Sequence, residues 1–286
     1  MTRRRYLAIM VVVLAVLVSF VTFSSFGQEK KVQKAGFVGS ETCEGCHQET
    51  YDGFKKTDPH WKILVDEEKG CESCHGPGEK HANSEGKEGF DLSFKTSDAH
   101  ARSEACLSCH QKKNSLFQSL RSVHKVSSVA CNECHQSHAA KVTKSLLKQK
   151  DPDLCFSCHG EVKAKFYLPN NHRVIQGALK CSDCHTPHGS RNRASLRKMN
   201  RFDTDVCFNC HPEKRGPWVF EHGVQKFEGC NVCHYPHGSP NRFLLIRRDV
   251  RTLCIECHGQ VHFPKFSCIN CHNQIHGSNF SSRFLQ

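Results

Sequence analysis

Apolar residues are scarce in this chain. Only 37% of its 286 residues are hydrophobic, and the mean hydropathy is −0.55. That leaves an ordinary protein core underfilled at this length. Methionine is nearly absent: past the first ten residues the only one is Met199. An iron ligand set built on methionine is therefore excluded at all but one position. There is one long apolar run, Leu7 to Phe23, interrupted by Ser19 and Thr22. No stripe of alternating basic and aromatic residues is present, so the formal charge of +12 finds no nucleic-acid motif to serve. Cysteine outside one recurring motif is also missing, which leaves no thiol for a lipoprotein anchor or a separate disulfide framework.

What is present is one short phrase, repeated. Cys207-Phe208-Asn209-Cys210-His211 is a clear copy: two cysteines one helical turn apart, then a histidine at once. This is the attachment signature of c-type haem. The two thiols reach the two vinyl groups of one porphyrin, and the histidine sits beneath the iron. Zinc ribbons, dithiol redox sites and disulfides also use paired cysteines, but none requires a histidine after every second one. Ten copies consume all 20 cysteines. The attachment pairs are Cys43 and Cys46, Cys71 and Cys74, Cys106 and Cys109, Cys131 and Cys134, Cys155 and Cys158, Cys181 and Cys184, Cys207 and Cys210, Cys230 and Cys233, Cys254 and Cys257, and Cys268 and Cys271. The corresponding proximal iron ligands are His47, His75, His110, His135, His159, His185, His211, His234, His258 and His272. The sequence thus calls for ten covalent haems (haem c, Fe), and the missing core is supplied by their apolar discs. The expected fold is a multihaem cytochrome c of short α-helices and irregular loops wrapped around a haem chain, with almost no β-sheet.

The order of the chain suggests three parts. Residues 1–27 read as an export signal, with Arg3, Arg4 and Arg5 before the apolar run and Ser25-Phe26-Gly27 at the cleavage position. An uncleaved membrane anchor is the alternative, because the run is at the short limit of a spanning helix. Residues 28–39 are a polar, Lys-rich, flexible lead-in, and 40–286 form the decahaem domain. Removing residues 1–27 removes three Arg and no acid, so +12 becomes +9. About twenty haem propionates, against about one positive charge per ferric porphyrin, bring the oxidised protein near neutrality. Lys and Arg are accordingly propionate partners.

The motifs fall into five tandem dihaem repeats. In the first half of each, a free histidine follows the motif at a distance; in the second half it follows closely. The candidate distal ligands are His60 and His81, His124 and His138, His172 and His188, His222 and His237, and His262 and His276. His100 is surplus, a surface residue or a replacement for His81. His138 follows His135 so closely that it cannot reach the opposite face of the same ring. The short-spaced histidines should therefore serve other haems and sew the chain together. Trp61, Trp218, Phe220, Phe227 and Tyr235 read as padding at haem edges.

The ordered set of ten resembles the periplasmic decahaem cytochromes of the MtrA/DmsE type. The phrases that carry the likeness are Cys71-Glu72-Ser73-Cys74-His75-Gly76-Pro77-Gly78, Cys207 through Pro217, and Cys230 through Ser239. The resemblance implies a staggered haem file partly sheathed by an outer-membrane β-barrel, passing electrons between periplasm and cell surface. It implies an inner-membrane quinol dehydrogenase or periplasmic cytochrome as donor and an outer-surface multihaem cytochrome as acceptor. The final repeat, from Cys254, is shorter than that family's pattern.

Two other readings use the same motifs. A multihaem reductase needs an iron with an open position, often marked by lysine in place of the proximal histidine; no Cys-x-x-Cys-Lys occurs here. An extracellular cytochrome filament needs a ligand donated between subunits, and the free histidines here suffice within one chain.

Overall fold

The computed structural model describes residues 35–57, 60–64, 70–110, 122–197, 206–259, 262 and 265–285. The export signal or anchor of 1–27 lies outside these residues, as does most of the 28–39 lead-in. No helix among the described residues is long and apolar enough to cross a membrane.

Short helices and turns make up the fold. The helices are α1 (Ser40–Cys46), α2 (Gln48–Lys55), α3 (Glu72–His75), α4 (Glu79–Asn83), α5 (Ala99–His110), α6 (Val123–Val126), α7 (Cys131–Cys134), α8 (Asp153–Phe156), α9 (Gly160–Lys165), α10 (Cys181–Cys184), α11 (Gly223–Phe227) and α12 (Val250–Ile255). The motifs from Cys207, Cys230 and Cys268 open instead on single 3-10 turns, Cys207–Asn209, Cys230–Val232 and Cys268–Asn270. β-structure among the described residues is limited to isolated bridges, such as His135 with Leu147. Such short helices do not hold by themselves, since nucleation costs more than one turn returns.

The reason for the shortness is visible in the burial pattern. The buried apolar residues are Leu107, Ala130, Leu146, Phe156, Phe166, Val174 and Val206. One small cluster joins Phe156, Phe166 and Val174 with Val162, Ile175 and Leu179. Large apolar side chains stand in the open, among them Phe280 at 90% and Phe227 at 74% exposure. A polypeptide that covers itself this poorly is built to wrap something else.

A recurring local device follows the motifs at His135, His185 and His234. The chain leaves the motif, turns, and pairs back on it. Gln136 N–H donates to Leu146 O, Thr186 N–H to Ser195 O and Tyr235 N–H to Leu244 O. The return closes with Lys148 N–H on Cys134 O, Arg197 N–H on Cys184 O and Ile246 N–H on Cys233 O. Each turn forces a residue into the left-handed region: Leu146 at φ 50°, Ala194 at 52° and Phe243 at 56°. Bulky residues pay a steric cost there, so tertiary context must hold them in place.

Successive stretches also touch through backbone. Asn170 and Ser239 exchange N–H···O bonds of 3.1 and 2.8 Å, and Phe220 and Ser278 do the same at 2.8 and 2.9 Å. Two glycines permit this closeness. A Cβ on Gly238 would run into Lys165 O, and one on Gly277 into the Trp218 ring.

Candidate haem-binding site

The histidines form ten pairs. Each motif histidine faces one free histidine, and none is shared. His47 faces His81 with ring centres 6.1 Å apart, His75 faces His138 at 6.0 Å, and His110 faces His60 at 5.8 Å. His135 faces His188 at 5.9 Å, His159 faces His124 at 6.2 Å, and His185 faces His237 at 6.0 Å. His211 faces His172 at 6.3 Å, His234 faces His276 at 6.3 Å, His258 faces His222 at 6.2 Å, and His272 faces His262 at 5.9 Å. A metal bound at about 2 Å by one nitrogen of each ring separates the ring centres by about 6 Å. The observed range is that separation. The residues present therefore fit a six-coordinate iron between each pair.

The pairing follows a rule. A free histidine after an odd-numbered motif goes forward two motifs: His60 to His110, His124 to His159, His172 to His211, His222 to His258. One after an even-numbered motif goes back two: His138 to His75, His188 to His135, His237 to His185, His276 to His234. The ends close on themselves, His81 with His47 and His262 with His272. His100 joins no pair. It is exposed and faces Glu104 at 3.5 Å. His81 keeps its own place opposite His47, so the surplus histidine is not its substitute.

Ring orientation is fixed from the second nitrogen. His135 Nδ1 contacts Ser145 O at 2.7 Å, His185 Nδ1 contacts Ala194 O at 2.8 Å, and His234 Nδ1 contacts Phe243 O at 2.7 Å. His272 Nδ1 contacts Arg283 O at 2.5 Å. These carbonyls lie in or beside the strained turns, which gives the strain a purpose. A carbonyl there fixes the tautomer that presents Nε2 to a metal. In three odd-numbered pairs the contact falls on the free histidine instead: His81 Nδ1 on Glu88 O at 2.7 Å, His124 Nδ1 on Pro187 O at 3.0 Å and His172 Nδ1 on Pro236 O at 2.6 Å. Burial holds His138, His188 and His237 below the ordinary histidine range and lowers His276 to about 4. The neutral imidazole is the form that binds metal.

The cysteines extend the pattern. First cysteines of adjacent motifs lie close enough to perturb one another: Cys43 and Cys71, Cys106 and Cys131, Cys155 and Cys181, Cys207 and Cys230, and Cys254 and Cys268. The neighbouring thiol lowers Cys71 and Cys131 to about 6 and pushes their partners up. Second cysteines lie within electrostatic reach of the next motif: Cys74 of Cys109, Cys134 of Cys155, Cys184 of Cys207 and Cys233 of Cys257. Thiol neighbours thus run unbroken from Cys43 to Cys268, in sequence order. Asp151 lies beside Cys155 and Cys181 but accepts the N–H groups of Cys181 and Ser182 at 2.9 and 3.0 Å. It braces the two motifs.

One feature escaped the sequence: Glu72, inside the second motif, is a buried carboxylate. Trp218, named above for haem-edge padding, lies against Gly277 with its indole N–H buried and unpartnered.

Comparison with known proteins bears on the repeated motif. The family model described as "Doubled CXXCH motif" matches residues 124–164, 172–216 and 222–263. Each match opens on a free histidine, His124, His172 or His222, and frames an even motif with the odd one after it. The multiheme cytochrome MtrA of Shewanella baltica (strain OS185) is 35% identical over 195 residues, covering 64% of this chain and 56% of that protein. The chain therefore aligns with little more than half the length of that relative.

Proposed function

We propose that this chain, which is similar to the multiheme cytochrome MtrA, is a multihaem c-type cytochrome that holds ten bis-histidine haems in one file and relays electrons along them. The observation that carries the reading is the one-to-one matching of ten motif histidines with ten free ones. In this reading every iron receives two imidazoles, and the ligand map is that of the pairs above. When bound, haem supplies a one-electron couple at each site. The chain's own residues hold and space the sites. The closeness of first cysteines in adjacent motifs sets consecutive sites side by side. The two-motif exchange of histidines ties each repeat to the next, so neighbouring sites cannot drift apart. The carbonyls of Ser145, Ala194, Phe243 and Arg283 hold the imidazoles in one tautomer.

The matched pairs favour an electron carrier over a reductase, which asks for an iron position without a second ligand. They also leave no ring of the ten to donate to another subunit, as a filament would need.

The remaining elements of the proposal come from the resemblance. We place the protein in the periplasm, associated with an outer-membrane β-barrel through which electrons pass to or from an outer-surface multihaem cytochrome. A quinol dehydrogenase of the inner membrane or a periplasmic cytochrome is the opposite partner. Affinity purification of the full chain from detergent-solubilised envelopes of its host tests this. A large β-barrel protein in stoichiometric amount is the expected result. Recovery only as a free monomer from the soluble periplasmic fraction, with no barrel in the membrane fraction, contradicts it.

A further inference from the structure

Five of the ten motifs carry an acidic residue between their cysteines: Glu44, Glu72, Glu133, Asp183 and Glu256. Their surroundings differ. Glu44 lies 3.9 Å from Lys55 Nζ, Glu133 lies 2.7 Å from Arg102, and Glu256 lies 2.6 Å from Arg247. Each of these charges is offset by a cation. Asp183 is tied to the Lys180 N–H at 2.8 Å and is exposed.

Glu72 is unlike them. It is 6% exposed, the one buried acidic residue among those described. Its carboxylate is held by main chain. Oε1 accepts Val38 N–H at 3.0 Å and Gly78 N–H at 2.7 Å, while Oε2 accepts Val38 N–H at 3.2 Å and Gly39 N–H at 2.9 Å. The three N–H donors are dipoles, not cations, and leave the negative charge of the carboxylate unpaired. A Cβ on Gly78 would sit 3.1 Å from the carboxylate, so the cradle is closed on that side.

The charge is also placed between two haem sites. Glu72 directly follows Cys71 in the second motif. Gly39, which donates its N–H to Glu72 Oε2, accepts from Cys43 Sγ at 3.6 Å through its carbonyl, so the carboxylate lies between the first cysteines of motifs one and two. A fixed anion in a water-poor setting opposes the arrival of an electron nearby.

We propose that Glu72 is a potential-setting residue for the first two haems, holding them harder to reduce than they would be beside a neutral or ion-paired side chain. The residue positions nothing that reacts; it acts through its charge. Its cradle also fixes Val38 and Gly39, the end of the lead-in, over this end of the haem file. The inference rests on the haem assignment above.

Spectroelectrochemical titration of the full-length holoprotein tests it, with the haem count measured on each sample. Glu72→Gln keeps the shape and removes the charge. One or two of the titrating components should move to higher potential, by about tenfold in the reduction equilibrium, while the others stay in place. Val38→Pro keeps the charge and removes one donor, so the same components should move lower. Opposite shifts are the signature of a charge; a merely structural anchor would move both variants alike. Unchanged titrations with ten haems, shifts of one sign, or haem loss in both variants would overturn the proposal. A wild-type count below ten, with motif two empty, would overturn the haem assignment instead.

Discussion

His138 faces His75, not the His135 just before it in sequence, with their ring centres 6.0 Å apart and their planes within 13° of parallel. The relationship makes a definite prediction. Replacing His138 by Ala should open the site whose thiols are Cys71 and Cys74. One haem should turn high-spin and bind carbon monoxide when reduced. The assignment is checked by a cycle. In a variant already lacking Cys71 and Cys74, His138→Ala should add no new high-spin signal. If it still does, His138 serves another motif.

The ring planes of the ten pairs range from near parallel to near perpendicular, with five pairs between, at 18° to 63°. His75–His138, His234–His276 and His47–His81 lie within 17° of parallel, while His60–His110 and His262–His272 cross at 77°. Parallel and crossed imidazoles split the iron orbitals differently. The oxidised protein should therefore show low-spin resonances that run from a rhombic family to a strongly axial one. His60→Ala should weaken the axial family and spare the rhombic one. Loss from the rhombic family would reverse the assignment.

Much of this was legible in sequence for a simple reason. Covalent attachment writes itself into the chain as contiguous residues, so Cys43 through His272 could be read directly. The scarcity of apolar residues likewise announced a core supplied from outside, and the fold of short helices and loops agrees. The ligand map was not legible, because His172 and His211 are joined by the path of the chain in space. Sequence spacing argued only that His138 could not serve its own motif. The strained turn at Ala194 was invisible because alanine carries no sign of a left-handed conformation. Glu72 looked like any motif filler until Val38, Gly39 and Gly78 were seen around it.

Gly238 is a packing requirement that a single methyl group should expose. The Cβ of Gly238→Ala would run into Lys165 O, a backbone atom that cannot step aside cheaply. The Asn170–Ser239 exchange and the neighbouring His185–His237 pair would be strained together. We expect a loss of about 1–3 kcal/mol, read as a lower thermal midpoint. Gly259→Ala, where a Cβ meets nothing within 4 Å, is the control and should behave as wild type. Equal midpoints for both variants would remove the backbone contact from the account.

Acid should weaken the protein in a defined window. Burial lowers His138, His188, His237 and, to about 4, His276. An unfolded chain takes up these protons near pH 6.5. Below that value the folded state binds fewer protons at these rings, down to about 4 for His276, so stability falls as pH falls. Iron-bound imidazoles take up no proton either, so the thermal midpoint of the oxidised holoprotein should drop between about pH 7 and about pH 5, with high-spin iron appearing on melting. A midpoint that rises or stays level across this range contradicts the burial argument.

The central claim is that ten irons each lie between a motif histidine and a free one. The most direct measurement is a haem count joined to the low-temperature EPR spectrum of the same fully oxidised sample. The account predicts ten haems per chain and only low-spin signals. A clear high-spin component in a ten-haem sample would contradict it, because one iron would then have an open position, and substrate binding there would become the question.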